Sequence, residues 1–492
     1  MRLSAALAGV AVLPLLATAQ TRNDAAFDDA YRRLQQGPAY TAQKTGLIRL
    51  TNNTGDGTVH HFAVTIPDSY DPSRKYPVRF HLHGGVTGRR SNVPPANAGG
   101  IGAIAGDDEQ IYVVPFAWDA APWWTDDQLE NLHGVLQSVK RLYNVDENRV
   151  YLSGVSDGGT GTYYMAMRDT TPYAAFLPLN GYWGVLANRD LMIDTPLFPG
   201  NLRNKPLFIV NGERDPLYPT SAIDPVIAHY KRIGLVVDYR PQPGAGHNTS
   251  WWPTVKSSFE AFARAHPRNP LPDTLTWETA STVQFNRAHW LAVDKLGYPK
   301  TEAKLDDPNL IESEPRQDFG VRSIGNRINR VTPGSNAEKL GLRAGDAFVR
   351  LNNETVRINI DVEEVFARLT PGDSITVLVA RNNEPVELTG VYAPQTVVDP
   401  PHGVFARGVP SGRVDLVRGG NTVTAKTRGV TAFTLLLSPD QFDFEKPITV
   451  IVNGKTVHNA KVTRDIHTLE KWAGIDHDRT MLFGAELKIK VN

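Results

Sequence analysis

The stretch RVYLSGVSDGGTGTYYMA, residues 149–166, decides how the chain is read. It opens on a short β-prone run, VYLS at 150–153, and crosses Gly154-Val155-Ser156-Asp157-Gly158. It then continues through 159–167 in a run compatible with a helix. A strand, a sharp turn and a helix, in that order, are the context that a G-x-S-x-G pattern needs. The flanking glycines leave room where a Cβ would clash, and the turn lifts the serine hydroxyl clear of a sheet. The helix that follows points its N-terminus at the same spot. Ser156 is therefore the candidate nucleophile.

Outward from this stretch, strands alternate with helix-length segments. Residues 58–70 read as a strand ending in a Pro-Asp turn, and 77–82 (PVRFHL) and 111–115 (IYVVP) as short buried strands. Leu129, Leu132, Val135, Leu136, Val139 and Leu142 recur at helical spacing within 127–143. With VYLS as the third core strand from PVRFHL, PLFIV at 206–210 is the fourth and 236–239 the fifth. The alternation predicts an α/β fold, a parallel sheet flanked by helices.

A serine hydroxyl needs a base, and the base needs an orienting carboxylate. His247 lies in Gly244-Ala245-Gly246-His247-Asn248, a loop after the fifth strand. Asp215, in Asn211-Gly212-Glu213-Arg214-Asp215-Pro216, follows PLFIV; Glu213 and Asp224 are competing acids. The order Ser156, Asp215, His247 is the one expected when such residues sit at successive strand ends. Two backbone donors are also required for a developing oxyanion. His83-Gly84-Gly85 follows PVRFHL and offers the Gly85 N–H, with Val86 as its rival; the Asp157 N–H, next after the serine, is the second donor. Trp123-Trp124 and Trp251-Trp252 make up four of the nine tryptophans. They are candidates for a substrate platform or for a core cluster beneath the loops, and Trp183 is a weaker one.

Composition narrows the classes. The 492 residues carry 52 Lys+Arg against 52 Asp+Glu, which removes the usual electrostatic ground for binding nucleic acid. There is no cysteine, which excludes disulfides, thiolate nucleophiles and cysteine-ligated metals. Arg2, an apolar run over 3–16 and Ala17-Thr18-Ala19 predict a signal peptide over residues 1–19, and thus export to the periplasm or beyond the cell. No other segment is long and apolar enough to span a bilayer.

PVRFHLHGG, RVYLSGVSDGGTGTYYMA and GAGHNTSWW together resemble the α/β-hydrolase fold over residues 45–266. The resemblance is closest to secreted esterases of the polyhydroxybutyrate depolymerase-like, feruloyl esterase-like and dienelactone hydrolase-like groups. Prolyl-oligopeptidase catalytic domains are similar too. Depolymerase and feruloyl esterase relatives often carry cysteines around the site, and this chain departs from them in having none.

Pro267, Pro270 and Pro272 predict a linker. Residues 315–395, with INRVTPGSNAEKLGLRAGDAFVRLNNETV, resemble a bacterial-type PDZ domain. Pro333-Gly334-Ser335 reads as a turn and 337–342 as a short helix ended by glycine. The resemblance implies capture of a peptide on a sheet edge, with Phe319, Gly320 and Val321 in the carboxylate-holding segment. Residues 274–297 and 411–492 resemble two parts of one β-rich domain interrupted by this unit. Asn453-Gly454 and Gly419-Gly420 are hairpin signals there, and Asp476-His477-Asp478 reads as a loop rather than a metal site.

Three functions follow as expectations. The first is an exported serine hydrolase acting on an ester, aromatic or polymeric, through an acyl-enzyme, with no metal or organic cofactor. The second is a serine peptidase of prolyl-oligopeptidase-like type. The third is a decayed hydrolase serving as a binding scaffold through the PDZ-like unit.

Overall fold

A computed structural model of the chain describes residues 13–88, 109–312, 315–398 and 400–491, the side chains of 13–23 excepted. Helix α1 (Leu13–Gln36) runs through the expected cleavage point, while residues 1–12 of the expected signal peptide lie outside the described residues. Beyond residue 23 it buries Phe27, Ala30 and Tyr31 against Leu469 and Leu482. Among the described residues no helix is long and apolar enough to cross a membrane.

The larger α/β unit is built on eight strands: β1 (Gly46–Asn53), β2 (Val59–Ile66), β3 (Tyr76–Leu82), β4 (Ile111–Pro115), β5 (Val145–Val155), β6 (Ala175–Leu179), β7 (Leu207–Gly212) and β8 (Val237–Gln242). Their order is β1-β2-β4-β3-β5-β6-β7-β8. β2 pairs antiparallel with β1 and β4, and every pair from β4 to β8 is parallel. That order, with its crossing of β3 and β4, is the α/β-hydrolase fold. Helices α2 (Asp126–Leu142), α3 (Asp157–Arg168), α4 (Thr220–Arg232) and α5 (Trp252–Ala265) cover the sheet. Alternate residues face opposite layers. Leu207 and Ile209 pack with α2, α3 and α4, while Phe208 and Val210 pack with Trp252, Val255 and Phe259 of α5. Burial on both faces explains why the strands read as unbroken apolar runs.

The count of five core strands from PVRFHL is one short, because β6 (AFLPL) escaped it. Its Pro178 argues against a central strand. It is accommodated where β6 runs parallel to β5, opposite Gly154.

The second unit is a sheet in the order Val321–Ile324, Arg327–Val331, Ala347–Leu351, Ser374–Arg381, Glu384–Val391. It carries the short helix α6 (Asn336–Leu340), ended by Gly341 at φ +98°, and α7 (Asn359–Arg368). Its core includes Phe319, Ile328, Phe348, Val365 and Val377.

Of the remaining strands, Leu310–Ile311 pairs with His402–Gly403 and Arg316–Asp318 with Gln395–Val397 in two short ribbons, and the others form two larger sheets. One runs Arg287–Ala288, Leu291–Leu296, Val430–Leu437, Ala485–Lys490. The other runs Lys455–Ala460, Ile448–Val452, Thr422–Arg428, Gly412–Gly419, Thr274–Thr279. Each sheet joins strands that precede the second unit to strands that follow it. Asn453 and Gly454 both take positive φ in a two-residue turn, which suits the twist of the flanking strands.

The proline segment at 267–272 lies in no helix or strand, but it is not a free linker. Arg268 is buried, bonded to Asp478 Oδ2 at 2.7 Å and to Asn148 Oδ1 at 3.0 Å. Asp476 ends the helix α8 (Ile466–Asp476) rather than lying in a loop, and it pairs with Arg287. Asp476 and Asp478 thus face different arginines.

Candidate active site

The site begins at the end of β5. Ser156 sits between strand and helix at φ 59° and ψ −121°, a conformation that a non-glycine residue holds only when its surroundings enforce it. The enforcement is steric and comes from the glycines. A Cβ on Gly154 would strike the Gly158 carbonyl, and one on Gly158 would strike the Leu82 carbonyl at the end of β3. A Cβ on Gly84 would lie 2.9 Å from Ser156 Cβ. The Ser156 N–H donates to Leu179 O of β6 at 2.9 Å, and its carbonyl accepts from Thr160 N at 2.9 Å as α3 begins.

Ser156 Oγ lies 2.8 Å from His247 Nε2, and His247 Nδ1 lies 2.6 Å from Asp215 Oδ2. Asp215 is fully buried, and its Oδ1 accepts from Leu217 N at 2.9 Å and Tyr218 N at 3.1 Å. An ionised carboxylate accepts only, so Nδ1 carries the imidazole proton and Nε2 is left to accept from the serine hydroxyl. Of the competing acids, Glu213 instead accepts from Gly244 N at 2.8 Å, and Asp224 lies by Tyr239. The two loops meet closely. Arg214 N donates to Ala245 O at 2.9 Å, and a Cβ on Gly212 would lie 2.5 Å from the Ala245 carbonyl. His81 lies in β3, away from this line; burial first, then Arg79, pushes it down to about 3, so it is neutral.

The His83-Gly84-Gly85 loop folds over the same point. His83 Nδ1 donates to Gly84 O at 2.9 Å, and its Nε2 accepts from Ala117 N at 3.1 Å. Trp123 Nε1 donates to His83 O at 2.8 Å. Gly85 takes φ +69°, and among the described residues no atom lies within 4 Å of where its Cβ would stand. The rival Val86 N–H is already engaged, donating to the Asp157 carboxylate at 2.7 Å. Asp157, first residue of α3, thus holds the HGG loop with its side chain while its backbone N–H stands next to the serine.

The tryptophan pairs do not form an open platform. Trp123, Trp124, Trp251 and Trp252 are all buried in the layers that pack the sheet, and Trp183 is buried against Tyr230 and Phe405. A paired indole carries more apolar area than any other dipeptide, and the sheet faces absorb it. Two other rings, absent from the sequence reading, stand beside the base. Tyr218 stands edge-on to His247 at 5.6 Å between centroids, and Tyr182 lies 5.9 Å from Tyr218. Burial raises both phenols, Tyr218 to about 12, so both remain protonated. Their only sequence signal was position, three residues after Asp215 and three after the end of β6.

In the second unit Phe319 and Val321 are core residues, not an exposed lip. Gly320 takes φ +93°, but its N–H donates to Asp318 Oδ1 at 2.7 Å, so that donor is occupied. Among the described residues no strand pairs with the outer edge of Val321–Ile324, which ends the sheet and leaves Ile324 exposed.

Residues 327–381 match the family model of the PDZ domain. No curated protein matches the chain. Among solved structures it is similar to a thermostable esterase at 20% identity and TM-score 0.35, covering 45% of this chain and 63% of that one. It is similar also to S-formylglutathione hydrolase from Staphylococcus aureus, at 16% identity and TM-score 0.35, covering 46% of this chain and all of that one (100%). A third likeness is to Porphyromonas gingivalis dipeptidyl peptidase 4, at 14% identity and TM-score 0.36, covering 46% of this chain and 36% of that one. The strand order, rather than these likenesses, identifies the larger unit: the chain combines an α/β-hydrolase fold with a PDZ domain.

Proposed function

We propose that the protein is an exported serine hydrolase that cleaves carboxylic esters through an acyl-enzyme. The observation that carries this reading is the continuous line Ser156 Oγ, His247 Nε2, His247 Nδ1, Asp215 Oδ2, with steps of 2.8 and 2.6 Å across the ring. Ser156 attacks the ester carbonyl as His247 Nε2 takes its proton. Asp215 keeps the imidazole in the required tautomer and stabilises the imidazolium. The Gly85 and Asp157 N–H groups receive the oxyanion, and His247 returns its proton to the leaving alkoxide. Water then repeats the sequence on the acyl-enzyme. Tyr182 and Tyr218 face the bound acyl or alcohol group.

The test is a time course with p-nitrophenyl acetate and butyrate. Ser156→Ala is expected to abolish turnover above the buffer rate, and Asp215→Asn to lower kcat by about 10⁴-fold through the wrong tautomer. Equal rates in wild type and Ser156→Ala would sink the ester reading. A peptidase is the second reading, favoured by the PDZ match at 327–381. Turnover of a peptide p-nitroanilide that exceeds turnover of the esters would select it.

A further inference from the structure

The loop that carries Asp215 sends one side chain out of the α/β unit, and it lands on the PDZ domain. The Arg214 guanidinium pairs with both Asp361 and Glu364 of α7. Beside it, Ser221 Oγ of α4 donates to Glu363 Oε2 at 2.8 Å. Three acids within one turn of α7 therefore engage the segment 214–221 that follows β7. Arg214 also belongs to both halves of the base–acid pair. It precedes Asp215, and its N–H is bonded to Ala245 O of the loop that presents His247. One residue therefore touches α7 and both loops.

The opposite side of α7 faces Phe319. Phe366 lies 5.2 Å from Phe319 and 5.4 Å from Tyr392 between ring centroids. One rigid helix thus connects the Phe319 loop to Arg214. By contrast, among the described residues the main chain of the Ser156 turn is bonded to β6 and α3 and packs against β3 and its own glycines, with no contact to the PDZ domain.

We propose that Arg214 is a positioning residue for the Asp215–His247 pair and that α7 of the PDZ domain holds it in place, so the PDZ domain is part of the hydrolytic apparatus. The inference rests on the serine hydrolase reading for its consequence in turnover, but not for its geometry. Asp361 also accepts from Arg357 N at 2.7 Å and Ile358 N at 3.1 Å at the start of α7. Asparagine at 361 keeps an oxygen for that cap while losing the charge that holds Arg214.

The experiment compares wild type, D361N/E364Q, R214A, the triple variant and the control S221A, all as full chains. With p-nitrophenyl butyrate, D361N/E364Q and R214A are each expected to lower kcat roughly 3- to 30-fold with KM little changed. The triple variant should be no slower than R214A, because both changes remove one contact. S221A removes a contact between the two units but leaves Arg214 held, and should keep the wild-type kcat. The second readout needs no substrate: in ¹⁵N-histidine-labelled protein, the downfield Nδ1–H resonance of His247 should shift in D361N/E364Q and R214A and stay put in S221A. An unmoved resonance in folded D361N/E364Q overturns the proposal, as does a triple variant whose losses multiply in full. If wild type turns over no ester, the ester reading fails while the resonance still decides the positioning role. If D361N/E364Q does not fold, R214A and R214K decide alone: a shifted resonance in R214A, restored toward wild type by R214K, supports the proposal, and no shift ends it.

Discussion

The turn around Ser156 and the turn around Gly320 both depend on glycine, yet different atoms hold them. At 154–158 backbone meets backbone: Gly154 against Gly158, Gly158 against the end of β3. At 318–321 side chains share the holding with the main-chain bonds from Thr332 N to Gly320 O at 2.8 Å and from Ala337 N to Phe319 O at 3.1 Å. Asp318 takes the Gly320 N–H and pairs with Arg322 at 2.6 Å, and a Cβ on Gly320 would meet the Ser335 side chain. A turn closed by main-chain contacts leaves no room for a Cβ, so its glycines mark it in the sequence. A turn held in part by side chains can be built with several residue types, so it carries a weaker local pattern.

The largest effect that would break this comparison is at the elbow. Gly158→Ala drives a methyl into the Leu82 carbonyl, where nothing flexible can yield. We expect loss of about 3 kcal/mol or more of stability, seen as insoluble protein or a collapsed melting transition. A normally folded Gly158→Ala would undo the main-chain account.

Gly320→Ala should be milder and local. Its φ is unfavourable for alanine, by about 1–2 kcal/mol, and Ser335 must move aside. Limited proteolysis is expected to cut within 315–397 while the α/β unit keeps its melting transition. Gly85→Ala is smaller again, since its φ of +69° is strained for alanine but no atom of the described residues stands in the way. A loss of about 1 kcal/mol by chemical denaturation is expected. A loss matching that of Gly158→Ala would show that the HGG loop is also packed main chain to main chain.

The smallest effect is that of pH. His289 is buried and held well below its ordinary value, by burial first and then by Lys205 and Arg268; its Nδ1 donates to Pro270 O at 2.8 Å. The folded protein therefore refuses a proton that the unfolded chain accepts below about pH 6.5. The stability this group contributes is full above that pH and is lost as pH falls. The melting temperature should drop between pH 7.5 and 4.5, and His289→Asn, whose amide can keep the bond to Pro270, should flatten that drop.

How much was legible follows the same division. Ser156, Asp215 and His247 stood out because each follows a strand at a glycine-bearing turn, and the structure brings the three side chains together. Trp123 and Trp251 stayed undecided because a large ring next to a site loop reads equally as platform or packing, and only burial separates the two. Tyr182 and Tyr218 were invisible because a tyrosine in a loop has no period and no partner along the chain. β6 was lost to Pro178, whose acceptance depends on the neighbouring strand. The expected proline linker turned out to be pinned, because Arg268 finds Asp478 some two hundred residues away.

By itself the sequence determined what short-range sterics and periodicity encode: the strand–turn–helix at Ser156, the apolar runs of a sheet buried on both faces, the Asn453-Gly454 hairpin and the capped α6 helix. Only the tertiary structure decided which rings stand beside His247, that the Val86 N–H is engaged by Asp157, and that Arg214 reaches from the Asp215 loop to α7 of the PDZ domain. Those facts depend on contacts between residues far apart in the chain. Such contacts are set by how whole layers pack, and no local pattern records them.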